Sequence, residues 1–139
     1  MDKGSVAIVT GGGQGIGRAI VKMLLENGLR VVIAEMDEEA GRETLEEYHG
    51  LGECIFIHTD ISDETAVKAM FRETIASFRG VYALINNAGI FINKPLAKMS
   101  LTEWNRVLGI NPFTDFVEIV LVFNRHNVIS LINFFARGD

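Results

Sequence analysis

Residues 10–17 read Thr10-Gly11-Gly12-Gly13-Gln14-Gly15-Ile16-Gly17, and the segments on either side of them decide the fold. Before the glycines comes SVAIVT, residues 5–10, a short β-branched apolar run with the pattern of a buried parallel strand. After them the period changes. Ile16, Ile20, Met23 and Leu24 fall on one helical face, and Gly28 stands where a C-terminal cap is expected. A strand, a glycine turn and an amphipathic helix in that order suit a phosphate group. Glycines let the backbone come close to a pyrophosphate, and the helix start offers free N–H donors and a positive dipole. Spacing excludes two other glycine fingerprints. G-x-G-x-x-G fails because Ile16 and Arg18 stand where its last glycine is required. G-x-x-x-x-G-K-[ST] fails because Gly12 and Gly17 are followed by Arg18 and Ala19. What remains is T-G-x-x-x-G-x-G, with Gly11, Gly15 and Gly17.

Strand and helix patterns alternate outward from this turn. Residues 30–34 (RVVIA) and 53–58 (ECIFIH) read as strands around a charged helix over 38–48. Residues 62–78 predict a helix with Ser62 as N-cap, Asp63 and Glu64 at its positive end, and Val67, Met70, Phe71, Thr74, Ile75 and Phe78 at helical spacing. Residues 82–86 (YALIN) predict a fourth strand. Ser100-Leu101-Thr102-Glu103 has the capping-box pattern and opens a helix with Trp104, Val107 and Leu108 on one face. Short connections between alternating elements predict right-handed βαβ crossovers and a doubly wound parallel sheet. Asn111-Pro112 breaks the rhythm. The apolar runs 113–123 and 128–135, around a polar Asn124-Arg125-His126-Asn127, fit either a helix and a strand or a hairpin, and their β-branched content favours strand.

Composition narrows the function classes. With 48% hydrophobic and 22% charged residues in 139, the chain supplies a core and reads as one domain rather than a disordered segment. The net charge of −5 and the lack of a Lys/Arg run argue against nucleic acid. The longest uncharged apolar run, residues 119–123, is far short of a membrane span, and the N-terminus lacks a signal-peptide pattern, so cytoplasm is the expected location. The single cysteine, Cys54, excludes an internal disulfide and is expected to be a buried strand residue rather than a reactive thiol. His49, His58 and His126 show no metal-ligand spacing, and no metal site is expected.

The motifs together resemble the short-chain dehydrogenase/reductase family. T-G-x-x-x-G-x-G after the first strand is that family's signature. Glu35 follows 18 residues after Gly17, Asp60-Ile61 follows the third strand, and Asn86-Asn87-Ala88-Gly89 ends the fourth as the family's N-N-A-G. Residues 104–111 carry a W-x-x-x-x-x-x-N stretch like the family's own. The resemblance covers residues 5–111. It implies an α/β fold of the Rossmann type, a doubly wound parallel sheet truncated to about five strands in the order 3-2-1-4-5. It divides the chain into an NAD-binding Rossmann domain, residues 1–111, and a divergent segment, 112–139, packed on the same domain.

The resemblance also implies a binding set for the cofactor: Gly11, Gly13, Gln14, Gly15, Ile16, Gly17, Glu35, Asp60, Ile61, Asn87, Ala88 and Gly89. An acid about 20 residues past the glycine loop accepts hydrogen bonds from the adenosine ribose and repels a 2′-phosphate. Glu35 stands there, with no basic residue at Gly13 or Gln14 to offset it, so NAD is favoured over NADP. Asp37 is the alternative ribose partner and leaves the cofactor unchanged. Asp60 and Ile61 would flank the adenine, a role compatible with helix capping by Asp60. Asn87, Ala88 and Gly89 would lie against the nicotinamide ribose.

The family's hydride transfer between NAD and an alcohol or ketone uses a tyrosine with a lysine four residues later, a serine and an asparagine. Tyr48 is followed at that spacing by Gly52, and Tyr82 by Asn86, so these residues contain no Tyr-x-x-x-Lys. Asn111 matches the asparagine of that tetrad. If residues 128–133 are the family's fifth strand, the serine position holds Asn133, and Ser130 falls on the other face. The chain is therefore expected to stop short of the tyrosine and to lack independent catalysis. Three readings stay open: a non-catalytic NAD-binding regulator or subunit, an oxidoreductase completed by a partner chain that supplies the missing residues, or a truncated gene product. Residues 113–139 are either a diverged family segment or a frame-shifted or spliced tail. Their five phenylalanines predict a sticky surface and a homo-oligomer.

Overall fold

A computed structural model describes residues 3–90, 92–110, 116–122 and 129–135, and of residues 109 onward it describes the backbone path alone. The elements are β1 (Val6–Thr10), α1 (Gly15–Glu26), β2 (Arg30–Glu35), α2 (Glu38–Tyr48), β3 (Cys54–His58), α3 (Glu64–Phe78), β4 (Ala83–Asn86), a 3₁₀ turn (Leu96–Lys98), α4 (Leu101–Ile110), β5 (Phe116–Val122) and β6 (Ile129–Phe135). They form one sheet in the order β3-β2-β1-β4-β5-β6. The β1–β2, β1–β4 and β2–β3 pairs are parallel, as the alternation of strands and helices predicts.

Every residue of β1 is buried because helices cover both faces of the sheet. Ala7 and Val9 pack with Val21, Leu24 and Leu25 of α1 and Tyr48 of α2. Val6 and Ile8 point the other way, into Met70 and Phe78 of α3. The period-two alternation of β1 thus feeds two cores at once. Fully burying a side chain such as Ile8 or Leu25 contributes about 1.5–3 kcal/mol. With α1 and α2 on one face and α3 on the other, the strand order reverses between β1 and β4. At such a switch point the carboxyl ends of open α/β sheets leave a crevice.

Four details depart from the sequence expectations. The docked face of α1 is Gly17, Val21, Leu24 and Leu25, while Ile16 and Met23 are 69% and 52% exposed. Helical period alone cannot choose between adjacent stripes; the small Gly17 lets the helix start drop against the sheet. Likewise Ile75 of α3 faces solvent. The N-cap of α3 is Asp63 rather than Ser62, its carboxylate accepting from the Thr65 amide at 2.8 Å, because Ser62 is drawn into a turn with Asp60. Finally, the strand beside β4 is Phe116–Val122 and runs antiparallel to it, and β6 pairs antiparallel with β5, Val122 opposite Ile129. The order 3-2-1-4 of the parallel strands holds, but the fifth strand expected over residues 128–133 is β6, one place further out, and β5 and β6 form an antiparallel hairpin, since the interval between them is too short for a parallel crossover.

Candidate functional site

A cleft of about 290 Å³ opens at the carboxyl ends of β1–β4. Its wall is Gly11, Gln14, Ile16 and Gly17 from the glycine turn, Ala34, Glu35 and Met36 from β2, Thr59, Asp60 and Ile61 after β3, and Asn87, Ala88, Gly89 and Ile90 after β4. Ten residues of the expected set therefore meet in one place, although they span nearly 80 positions of chain. Gly13 and Gly15 fall outside that wall. Asn111 lies outside the described residues.

The turn between β1 and α1 leaves little room for side chains. Gly11 has φ +63°, and a Cβ there would stand 2.9 Å from the Cα of Ala88. Gly17 rests on the carbonyl of Gly11, and a Cβ on it would overlap that oxygen. The start of α1 is open. Its N-cap, Gln14, makes no side-chain capping bond, and no acid occupies its first turn. The first amides of a helix have no intrahelical acceptor, so this end carries free donors and a partial positive charge toward the cleft.

A threonine latch ties the fourth strand to the turn. The Thr10 hydroxyl donates to the Ile85 carbonyl at 3.2 Å and accepts from the amides of Asn87 and Ala88, each at 3.0 Å. The Asn87 side-chain amide donates back to the carbonyls of Thr10 and Gly11 at 3.0 and 3.1 Å. The position of Asn87, Ala88 and Gly89 is thus set by β1 as much as by β4. Thr10 heads the glycine motif, which is the signal by which sequence reasoning could have found this latch.

Glu35 ends β2 with its carboxylate buried at the cleft. One oxygen accepts from Gly13 N at 3.1 Å, and the other from Met36 N at 2.9 Å and Asp37 N at 3.1 Å. Asp37 is engaged elsewhere. It caps α2, accepting from the amides of Glu39 and Ala40 at 3.1 Å each, and it is not on the cleft wall. Arg18, the nearest cation to the turn in sequence, is ion-paired with Glu47 of α2 and lies over the Tyr48 ring at 5.8 Å.

Asp60 accepts from the Ser62 hydroxyl at 2.6 Å and the Ser62 amide at 2.9 Å. The Ser62 hydroxyl, then its amide, hold the Asp60 carboxyl below its ordinary range, so it faces the cleft as an anion. The turn it makes with Ser62 coexists with a place on the cleft wall. Ala34, Met36, Thr59 and Ile90 also line the cleft, and sequence reasoning missed them. The first three flank Glu35 and Asp60 in the chain, and strand-tip neighbours were the available signal.

The remaining chemical residues sit elsewhere. Cys54 is half-buried in β3, and burial pushes its thiol up to about 12, so it stays neutral at physiological pH. Asn133 and Ser130 belong to β6, which β5 separates from β4, so the strand expected to carry the serine position is not beside the cleft-forming strand. Among the described residues no cluster of His, Cys, Asp or Glu is arranged to hold a metal, and no helix is long and apolar enough to cross a membrane.

A sheet open at a switch point, with a glycine turn and a strand-end acid on one cleft, defines an α/β fold of the Rossmann type. Residues 5–125 match the family model described as short chain dehydrogenase, and the chain belongs to that family of oxidoreductases, whose members bind nicotinamide cofactors. It is 49% identical over 113 residues to an uncharacterized oxidoreductase of Thermotoga maritima, a match covering 80% of this chain and 44% of the relative. It is 36% identical over 135 residues to the 2,5-dichloro-2,5-cyclohexadiene-1,4-diol dehydrogenase of Sphingobium indicum, covering 94% of this chain and 53% of that enzyme. Among solved structures it resembles 3-ketoacyl-(acyl-carrier-protein) reductase from Brucella melitensis complexed with NADH, with a TM-score of 0.72 at 30% identity, covering 78% of this chain and 44% of that one. The chain spans about half the length of the relatives it matches.

Proposed function

We propose that the cleft holds NAD(H), and that these 139 residues are the cofactor-binding portion of an NAD-dependent oxidoreductase. The observation that carries this reading is the uncapped start of α1 facing the same cleft as the Glu35 carboxylate. The residues fit the group. Free amides at the start of α1 suit the pyrophosphate, Glu35 suits the adenosine ribose hydroxyls, and Asp60 with Ile61 suits the adenine. Asn87, Ala88 and Gly89, held by Thr10, suit the nicotinamide ribose. Bound there, the nicotinamide supplies hydride exchange with an alcohol or ketone. The protein's share is binding and orientation.

NAD is preferred to NADP in this reading. A 2′-phosphate would meet the Glu35 carboxylate, and the nearest cation, Arg18, is already paired with Glu47. That the Brucella reductase was crystallised with NADH accords with this preference. By themselves these residues bind without turnover. They contain no Tyr-x-x-x-Lys to move the substrate proton, and acid–base catalysis supplies roughly 10²–10⁴-fold in rate. The reading also includes self-association, supported by Leu101, Trp104 and Leu108 of α4, which are 73%, 40% and 49% exposed. A cytoplasmic location completes it, in keeping with a single cysteine that can form no internal disulfide.

Fluorescence titration with NADH and NADPH tests the cofactor, with an alcohol-oxidation assay in parallel. Saturable NADH binding, weaker NADPH binding and no turnover are expected. Glu35→Ala should weaken NADH more than NADPH, and equal losses would refute the ribose role. No binding at millimolar NADH overturns the whole reading. Light scattering at tens of micromolar checks self-association, and a strict monomer contradicts it.

A further inference from the structure

Two threonines are fully buried in the middle of helices, Thr44 in α2 and Thr74 in α3. A buried helical threonine commonly donates to the carbonyl one turn back. Thr74 does so, to Met70 O at 2.8 Å. Thr44 does not. Its hydroxyl leaves the helix and donates to the carbonyl of Gly13, 31 residues away in the glycine turn, at 2.8 Å.

Gly13 is held on its other side as well. Its amide donates to Glu35 Oε2 at 3.1 Å. A Cβ on Gly13 would stand 2.8 Å from Glu35 Cγ and 3.0 Å from both the carbonyl carbon of Ala40 and the amide nitrogen of Gly41. Gly41 in turn is pressed against the Phe56 ring, which leaves no space for a Cβ. Thus α2 lies close against the turn. Thr44 fixes the peptide joining Gly13 to Gln14, the N-cap of α1, and Glu35 fixes the peptide before it.

We propose that Thr44 is a positioning residue for nucleotide binding, its hydroxyl locking the Gly13–Gln14 peptide so that the α1 amides and the Glu35 carboxylate are set for one ligand together. This rests on the nucleotide reading above. Thr44 touches neither cleft nor ligand; it acts through Gly13. Without the hydroxyl, the buried Gly13 carbonyl has lost its partner, and the peptide relieves this by turning toward water. The binding-ready turn then becomes a minor conformer, and the apparent Kd rises by the inverse of its population.

The test compares Thr44→Val, Thr44→Ser and Thr74→Val in the full chain, by NADH titration and thermal melts. Thr44→Val should lower the Tm and weaken NADH roughly tenfold. Thr44→Ser, which keeps the hydroxyl, should restore the wild-type Kd. Thr74→Val should lower the Tm and leave the Kd unchanged. Should Thr44→Val fold poorly, Thr44→Ala measured in the cold, with Kd corrected for the folded fraction, carries the same comparison. If Thr44→Val or Thr44→Ala only lowers the Tm while NADH binds as tightly as to wild type, the positioning role is overturned and the nucleotide reading stands. If wild type binds no NADH, both fall.

Discussion

Among the described residues, three of the four α-helices have their starts closed by their own residues, and one does not. Asp37 caps α2 and Asp63 caps α3 through their carboxylates. Ser100 and Glu103 close α4 reciprocally. The Ser100 hydroxyl accepts from the Glu103 amide at 3.1 Å, and the Glu103 carboxylate accepts from the Ser100 amide at 2.7 Å. At α1 the capping position holds Gln14, whose side chain makes no capping bond, behind a run of glycines. A capped start is framework, its donors satisfied inside the molecule. An uncapped start facing a cleft keeps its donors for something that arrives from outside. The same helix-end chemistry therefore separates scaffold from site.

The strongest way to break this contrast is Gly17→Ala. Its Cβ would collide with the Gly11 carbonyl, so α1 must lift off the turn. A loss of about 3 kcal/mol or more in urea unfolding, with NADH binding abolished, is expected. A variant that folds and binds as wild type would show that the close contact at Gly17 does not set the turn.

Closing the open start is the next test. Gln14→Asp gives α1 the cap that α2 and α3 already have. It should stabilise the fold by about 1 kcal/mol. It should also weaken NADH about tenfold, because a carboxylate now occupies the donors and repels the phosphates. Stabilisation with unchanged affinity would remove the phosphate from this helix end. The converse change is Asp63→Ala, which opens a framework start. It should cost about 1 kcal/mol in chemical denaturation and leave the NADH Kd where it was.

The smallest effect is an acid titration of α4. Hydrogen bonds from the Ser100 amide, the Lys94 ammonium and the Ser100 hydroxyl lower Glu103 from 4.5 to about 2. A carboxyl lowered by folding contributes stability above its unfolded value of 4.5, and that contribution is lost as pH falls through about 2. Trp104 is the only tryptophan and stands next to Glu103, so its emission reports this helix end. A transition in that emission near pH 2 in wild type, absent from Glu103→Gln, is expected.

Much of this was legible before any coordinates. The β1-turn-α1 unit, the helix over Glu38–Tyr48, the capping box at Ser100 and the acid at Glu35 all appear in the residue pattern. Each depends on interactions within a few positions: backbone freedom at glycine, period two or 3.6, a side chain reaching its own helix start. The choice between Glu35 and Asp37 was not legible, since both are acids at one strand tip. Only the fold shows Asp37 committed to α2 and Glu35 facing the cleft.

The amino-acid order alone determined the parallel α/β half, the glycine turn and the identity of the acids available to it, because those follow from short-range stereochemistry and hydrophobic period. Tertiary structure alone decided which stripe of α1 is buried, that Arg18 turns to Glu47, that Thr10 latches Asn87, that Thr44 grips Gly13, and that β5 returns antiparallel to β4. Each of these joins residues distant in sequence, and no local pattern encodes a partner that only the packing of helices on a twisted sheet brings within hydrogen-bond or contact distance.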